Sequence, residues 1–304
     1  MGVLIAKKYP TKLFAKAADH TYVECGNGNK AWGCWGGKTG GTAFNTGNGS
    51  TKRANVIAES DEKANIRCYL INGVCHQAAN RILIPAGILV SGARGYWVSS
   101  GIFGTYGRPG RSWLNPCYSP FRKHSNISGD LKECSVTKKN RHRITEKIVV
   151  PETTQSMNKE VKYLKSVRST YSRYSQKSHD RTDNMKFNLR LFERDIQLKL
   201  GDESDLGNTY RTLLMAKENL EVKIAGLDIS HDKSAEITSN DTEFVKKFND
   251  ITREFQDDVA NSLNEQQFQN LFELKRDERV VLADPDIISS VFGEEVMKNV
   301  YSDL

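Results

Sequence analysis

No apolar run in this sequence approaches the roughly 20 residues needed to cross a bilayer, so no membrane span is expected. The N-terminus offers only a short apolar stretch, Met1 to Ala6 before Lys7 and Lys8, too little for a conventional signal peptide. Ala6 also stands where a myristoylation signal at Gly2 wants Ser or Thr. Zinc-ligand spacing is missing too. The six cysteines, Cys25, Cys34, Cys68, Cys75, Cys117 and Cys134, include no CxxC pair, so neither metal nor cofactor is expected. Gly37-Lys38-Thr39 is not the end of a phosphate-binding loop, because Trp32 stands where the first glycine belongs. Without a secretion signal a disulfide framework is not expected, since the cytosol keeps thiols reduced. Cys25, Cys34 and Cys68 are read as small buried hydrophobes. The chain is expected to be cytoplasmic as synthesised, and any export would proceed without a signal peptide.

What is present is a soluble globular balance, 38% hydrophobic and 27% charged, which excludes a disordered chain. The length of 304 residues allows two domains, and the composition changes near residue 150. Before it, Gly, aromatic residues and Cys abound; after it Trp disappears and apolar residues recur at helical spacing among charges. Val149-Val150-Pro151, followed by Glu152-Thr153-Thr154, reads as the junction. In the second half Val161, Leu164, Val167 and Tyr171 share a helical face, as do Leu189, Phe192, Ile196 and Leu200. A helix running from Tyr210 through Leu213, Leu214 and Leu220 to Ile224 should stop at Gly226. Phe244, Phe248, Ile251, Phe255, Val259 and Leu263 form the clearest stripe. Asp284-Pro285-Asp286 opens a last short helix through Ile287, Val291 and Met297. These stripes predict packed helices, able to recruit a protein partner, and none carries visible chemistry.

A formal charge of +7 and a pI near 9.0 favour anionic partners. The basic residues concentrate between 122 and 174, from Arg122 and Lys123 to Lys165, Arg168 and Arg173, with Tyr163, Tyr171 and Tyr174 interleaved. Such a segment can neutralise phosphates and stack on bases. No nucleic-acid motif accompanies it, and a solvated charged face is the plainer reading.

Two segments of the first half carry chemistry. Asp19-His20-Thr21-Tyr22-Val23-Glu24-Cys25 has strand-forming residues and ends in the turn Gly26-Asn27-Gly28-Asn29. Ala31-Trp32-Gly33-Cys34-Trp35 would return antiparallel to it, leaving His20 at the start of a strand. A helix is predicted from Ser60 through Leu70, with Ser60, Asp61 and Glu62 as its start signal. Asn72-Gly73 breaks it and Ala78 to Leu83 begins another, so Cys75 falls at a helix N-terminus. Unsatisfied N–H groups and the helix dipole stabilise a thiolate there, and the same groups can hold an oxyanion. Singly, Cys75 reads as a buried helix cysteine and His20 as a strand histidine. Together they supply a nucleophile and its base. His76 is adjacent in sequence, but neighbouring helical side chains diverge. Downstream, Gly95-Tyr96-Trp97-Val98 and Gly101 to Gly107 read as Gly-punctuated strands or a binding loop.

Gly73-Val74-Cys75-His76-Gln77-Ala78, then Pro85-Ala86-Gly87-Ile88 and Ser91-Gly92-Ala93-Arg94-Gly95-Tyr96, resembles the nucleophile helix of transglutaminase-like thiol enzymes. His20-Thr21-Tyr22-Val23-Glu24 is similar to that family's histidine strand, and Trp32 and Trp35 to the Trp-bearing strand beside it. The histidine precedes the cysteine here, which resembles circularly permuted papain-like enzymes, relatives of the NlpC-type and lecithin:retinol acyltransferase groups. The resemblance covers about residues 15 to 100. It implies an α+β fold: a permuted papain-like, transglutaminase-like domain over 1–150, followed by an all-α helical domain, bundle or coiled, over 151–304. Where the family places a polar residue, often Asp, to orient the histidine, this chain has Gly36 and Gly37. Asn45 on the following strand is the candidate for that role, and Glu24 lies too far along its own strand.

The resemblance implies a cysteine-dependent amide-bond enzyme with Cys75, His20 and Asn45 as catalytic residues. It would act as a protease or amidase, or by transglutaminase-type acyl transfer, on a protein or peptide substrate. The layout fits a bacterial effector or toxin exported by a dedicated machine. The competing class is a non-catalytic basic interaction protein that binds an anionic partner or nucleic acid through residues 122–174.

Overall fold

A computed structural model describes residues 2–11, 18–33, 38–62, 70, 73–107, 181–227 and 239–302. The junction near 150, the Val161–Tyr171 stripe and the basic stretch 122–174 lie outside the described residues.

Four strands form an antiparallel sheet: β1 (Gly2–Pro10), β2 (Asp19–Cys25), β3 (Ala31–Trp32) and β4 (Thr42–Gly49), in the order β3-β2-β1-β4. His20 pairs with Tyr9 of β1, and Asn45 of β4 with Ala6 on the other edge of β1. The predicted hairpin closes with Val23 opposite Trp32, whose indole N–H donates to Asn55 Oδ1 at 3.1 Å. Cys25, at the end of β2, is buried in the apolar core as expected, but it is disulfide-bonded, which corrects the expectation that no disulfide forms. The structure is thus mixed α and β, with a small antiparallel sheet.

Helix α1 (Thr51–Glu62) ends where the helix predicted from Ser60 through Leu70 begins; of that predicted helix, residues 63–69 lie outside the described residues. Ser50 is the better cap, because its Oγ accepts from Arg53 N at 3.2 Å, and Ser60 to Glu62 become the last turn. Helix α2 (Cys75–Leu83) opens at Cys75 and passes into a 3₁₀ turn, Ile84–Ala86. Gly95 to Phe103 is not a strand: Tyr96–Phe103 is helix α3. All of its residues except the partly buried Trp97 are buried, so no alternation marks it. Gly101 is a packing residue rather than a turn residue, since a Cβ there would sit 3.2 Å from the Phe272 ring.

The remaining helices are α4 (Arg181–Lys199), α5 (Glu203–Leu206), α6 (Asn208–Gly226), α7 (Ser239–Ser262), α8 (Glu265–Phe272), α9 (Pro285–Phe292) and α10 (Glu294–Val300). The predicted last helix is two, split at Gly293, whose φ of 91° interrupts the helical path. No helix among the described residues is long and apolar enough to cross a membrane.

Two apolar cores organise these elements. The smaller packs the sheet against α1 and α2 through Leu4, Ala6, Val23, Ile57, Ala79 and Ile82. The larger joins Val74, Cys75, Val98 and Phe103 to Phe192, Phe248, Phe268 and Phe272. One core therefore draws on residues from both sides of position 150. A cation seals the junction: Lys217 Nζ of α6 donates to Ile102 O at the end of α3 (2.7 Å) and pairs with Glu221 (2.8 Å).

Candidate active site

Cys75 is the first residue of α2, preceded by Val74 in extended conformation. Valine has no polar atom with which to cap, so the Val74 side chain leaves the first-turn N–H groups of α2 uncapped. The reverse half of a capping box is present: Gln77 Oε1 accepts from Val74 N at 3.1 Å. Gly73 is required for this turn. Its φ is 111°, and a Cβ would stand 2.6 Å from that of Gln77. The rest of α2 is locked by buried polar groups. Asn80 donates to Thr105 O at 2.7 Å and accepts from Val90 N at 2.8 Å, and Arg81 donates to Tyr106 O at 3.0 Å.

His20 is fully buried on β2, with Tyr9 stacked on its ring at 4.9 Å between centroids. Its Nδ1 lies 2.7 Å from Asp284 Oδ2. Asp284, 264 residues away in sequence, is the N-cap of α9, and its other oxygen accepts from Asp286 N at 2.9 Å. One carboxylate thus caps a helix with one oxygen and holds the imidazole with the other. The side-chain ligand atoms of His20, Cys75 and Asp284 lie within 4.8 Å of one another, and all three residues are buried. Since Asp284 takes Nδ1, Nε2 is left for the thiol; it is buried and makes no hydrogen bond to a described nitrogen or oxygen.

The electrostatics follow from this geometry. Burial alone would lower the pKa of His20, but hydrogen bonding to Asp284 and to Cys75, with the charges of both, raises it to about 10. The imidazole is therefore held as its cation at neutral pH. An imidazolium between a carboxylate and a sulfur at a helix N-terminus stabilises the sulfur as thiolate. Cys, His and Asp are also competent to bind a borderline metal such as zinc. In the structure Asp284 is hydrogen-bonded to the His20 ring nitrogen.

Asp19 is the hub that joins the parts. Its carbonyl lies 4.0 Å from Cys75 Sγ and accepts from His76 Nε2 at 2.9 Å. Its carboxylate accepts from Arg94 N at 2.9 Å and pairs with Lys8 at 3.2 Å, while its own N–H donates to Arg94 O at 3.0 Å. Beyond this clamp a cavity of about 350 Å³ lies between the sheet side and α8, lined by Lys8, Arg94, Trp97, Phe272, Glu273 and Lys275 among others.

The structure thus brings together Cys75 and His20. Asn45 stands two strands from His20, its carboxamide donating to Leu89 O (2.9 Å) and accepting from Thr46 N (2.9 Å); the group on His20 Nδ1 is Asp284. Asp284 was visible in the sequence only as a helix start, and no spacing signal could link it to a strand 264 residues upstream. Comparison of the chain with family models, with curated proteins and with solved structures finds no match, so the geometry of this site stands as the guide to its chemistry.

Proposed function

We propose that the protein is a thiol acyl-transfer enzyme in which Cys75 is the nucleophile, His20 the acid and base, and Asp284 the group that orients His20. The observation that supports this most is the buried Cys75–His20–Asp284 cluster at the start of α2. The Cys75 thiolate attacks the carbonyl carbon of an amide, and first-turn N–H groups of α2 receive the oxyanion. His20 gives its Nε2 proton to the leaving amine as the C–N bond breaks, leaving a thioester on Cys75. Water or a second amine then attacks the thioester. His20 takes the attacker's proton and Cys75 departs as thiolate. Water makes the protein a protease or amidase, and an amine makes it a transglutaminase-type enzyme. The cavity beside the Asp19 clamp has the aromatic walls and charges of both signs that suit a protein or peptide, although its lining residues do not include Cys75 or His20. The disulfide at Cys25 fits a destination more oxidising than the cytosol.

p-Nitrophenyl acetate tests the chemistry without knowledge of the substrate. The expected result is a burst of nitrophenolate with an acetyl group on the Cys75 peptide, lost in Cys75→Ala and strongly slowed in His20→Ala. Acetylation that bypasses Cys75, or is equally fast without His20, would overturn the proposal.

A further inference from the structure

We propose that His76 is a positioning residue for the Cys75–His20 pair, acting through the backbone carbonyl of Asp19; this rests on the acyl-transfer reading of Cys75. The Asp19 carbonyl can only accept, so His76 Nε2, 2.9 Å away, carries the ring proton and Nδ1 is the acceptor. Nδ1 lies 2.8 Å from Ser99 Oγ, which has Tyr96 O within 2.8 Å as well. The same carbonyl is 4.0 Å from Cys75 Sγ. While Cys75 is a thiol, its S–H points a weak hydrogen bond at that oxygen. Once the proton moves to His20, the negative end of the carbonyl faces a thiolate and repels it. The His76 N–H offsets that negative end and pins the residue that directly precedes His20.

His76 does this as a neutral ring. Burial pushes its pKa down to about 4, against the pull of the Asp19 carbonyl. The charged groups facing it are Asp19, His20 and Asp284, and the Tyr96 ring meets it edge-on at 5.9 Å. A second imidazolium here would weaken the proton affinity of His20. A neutral N–H donor stabilises the thiolate without that penalty.

The test is the rate of iodoacetamide labelling at Cys75 in the full chain, read by mass spectrometry from pH 4 to 9. Wild type, His20→Ala, His76→Phe, His76→Gln and Ser99→Ala are compared, each checked for folding by circular dichroism. His76→Phe removes the donor and should slow labelling at pH 6 about tenfold, roughly the worth of one buried hydrogen bond, and shift the profile to higher pH. His76→Gln keeps an N–H that can reach the carbonyl and should restore most of the rate. Ser99→Ala frees the Nδ1 side and should shift the profile in the same direction by less. It also carries the test if His76→Phe does not fold. Profiles of both His76→Phe and Ser99→Ala that superimpose on wild type would overturn the proposal, as would His76→Gln slowed as much as His76→Phe. Slow wild-type labelling that ignores His20→Ala would instead overturn the acyl-transfer reading itself.

Discussion

Residues 2–107 supply the thiol, the imidazole and the Asp19 clamp; residues 181–302 supply the carboxylate on His20 and most of the apolar residues of the core that includes Cys75. Their cores differ in the same way. The sheet side has a small core of its own, built on Leu4, Val23 and Ile82, whereas the core that includes Cys75 is rich in aromatic residues and drawn from both segments. A helix that looks like mere packing can therefore supply one member of a buried Cys–His–Asp cluster. The cluster is incomplete without the segment that carries neither its thiol nor its imidazole.

The comparison breaks most readily in the shared core. Phe248 of α7 stacks on Phe103 of α3 with ring centroids 6.0 Å apart. Phe248→Ala should cost about 3–5 kcal/mol, seen in urea unfolding as one transition shifted to lower concentration. Two separated transitions, with only the helical one moved, would show that the segments are independent.

Lys217 sharpens the same point with charge. Both it and Glu221 are about 1% exposed, and Lys217 also holds Ile102 O. Lys217→Ala strands a buried carboxylate and should cost about 3–4 kcal/mol in urea unfolding. The double variant Lys217→Met with Glu221→Leu should recover most of that. A double variant as unstable as the single would locate the loss in the Ile102 contact.

The two histidines give opposite pH signatures. His76, with a folded pKa near 4 against about 6.5 unfolded, contributes stability that is present above pH 6.5 and lost as pH falls through 4. The loss amounts to about 3 kcal/mol on complete protonation, and His76→Gln should flatten that acid limb in thermal unfolding. His20, raised to about 10, contributes stability fully present below 6.5 and lost as pH rises through 10. His20→Gln should flatten the alkaline limb and also make the acid limb shallower, because the His20 charge helps to hold the His76 pKa down.

The smallest effect belongs to the visible link. Arg94 and Glu278 pair across the cavity, but both are partly exposed, and solvent screens them. Arg94→Ala should move stability by about 1 kcal/mol or less by thermal unfolding, because the backbone bonds of residue 94 to Asp19 remain.

Local chemistry made part of this legible in the sequence. The Asn72-Gly73 break pointed to a helix start at Cys75, and the Thr-Tyr-Val run pointed to the strand bearing His20, because both signals lie within a few neighbouring residues. The apolar stripes of α6 and α7 were equally readable, since one face of each is buried. Helix α3 was not, because burial of all its residues but Trp97 erases periodicity and Gly101 resembles a turn while serving close aromatic packing. The role of Asp284 was hidden for a different reason: its capping signal is local, whereas its contact with His20 exists only after the chain has folded back across 264 residues.

The most direct test of the Cys75–His20–Asp284 unit is a double-mutant cycle on Cys75 labelling by iodoacetamide at pH 6. His20→Ala and Asp284→Ala should each slow labelling about tenfold or more, and the double variant should be no slower than His20→Ala by more than about twofold, because Asp284 acts through His20. Effects that multiply in the double variant, or an Asp284→Ala rate equal to wild type, would contradict a site assembled from both ends of the chain.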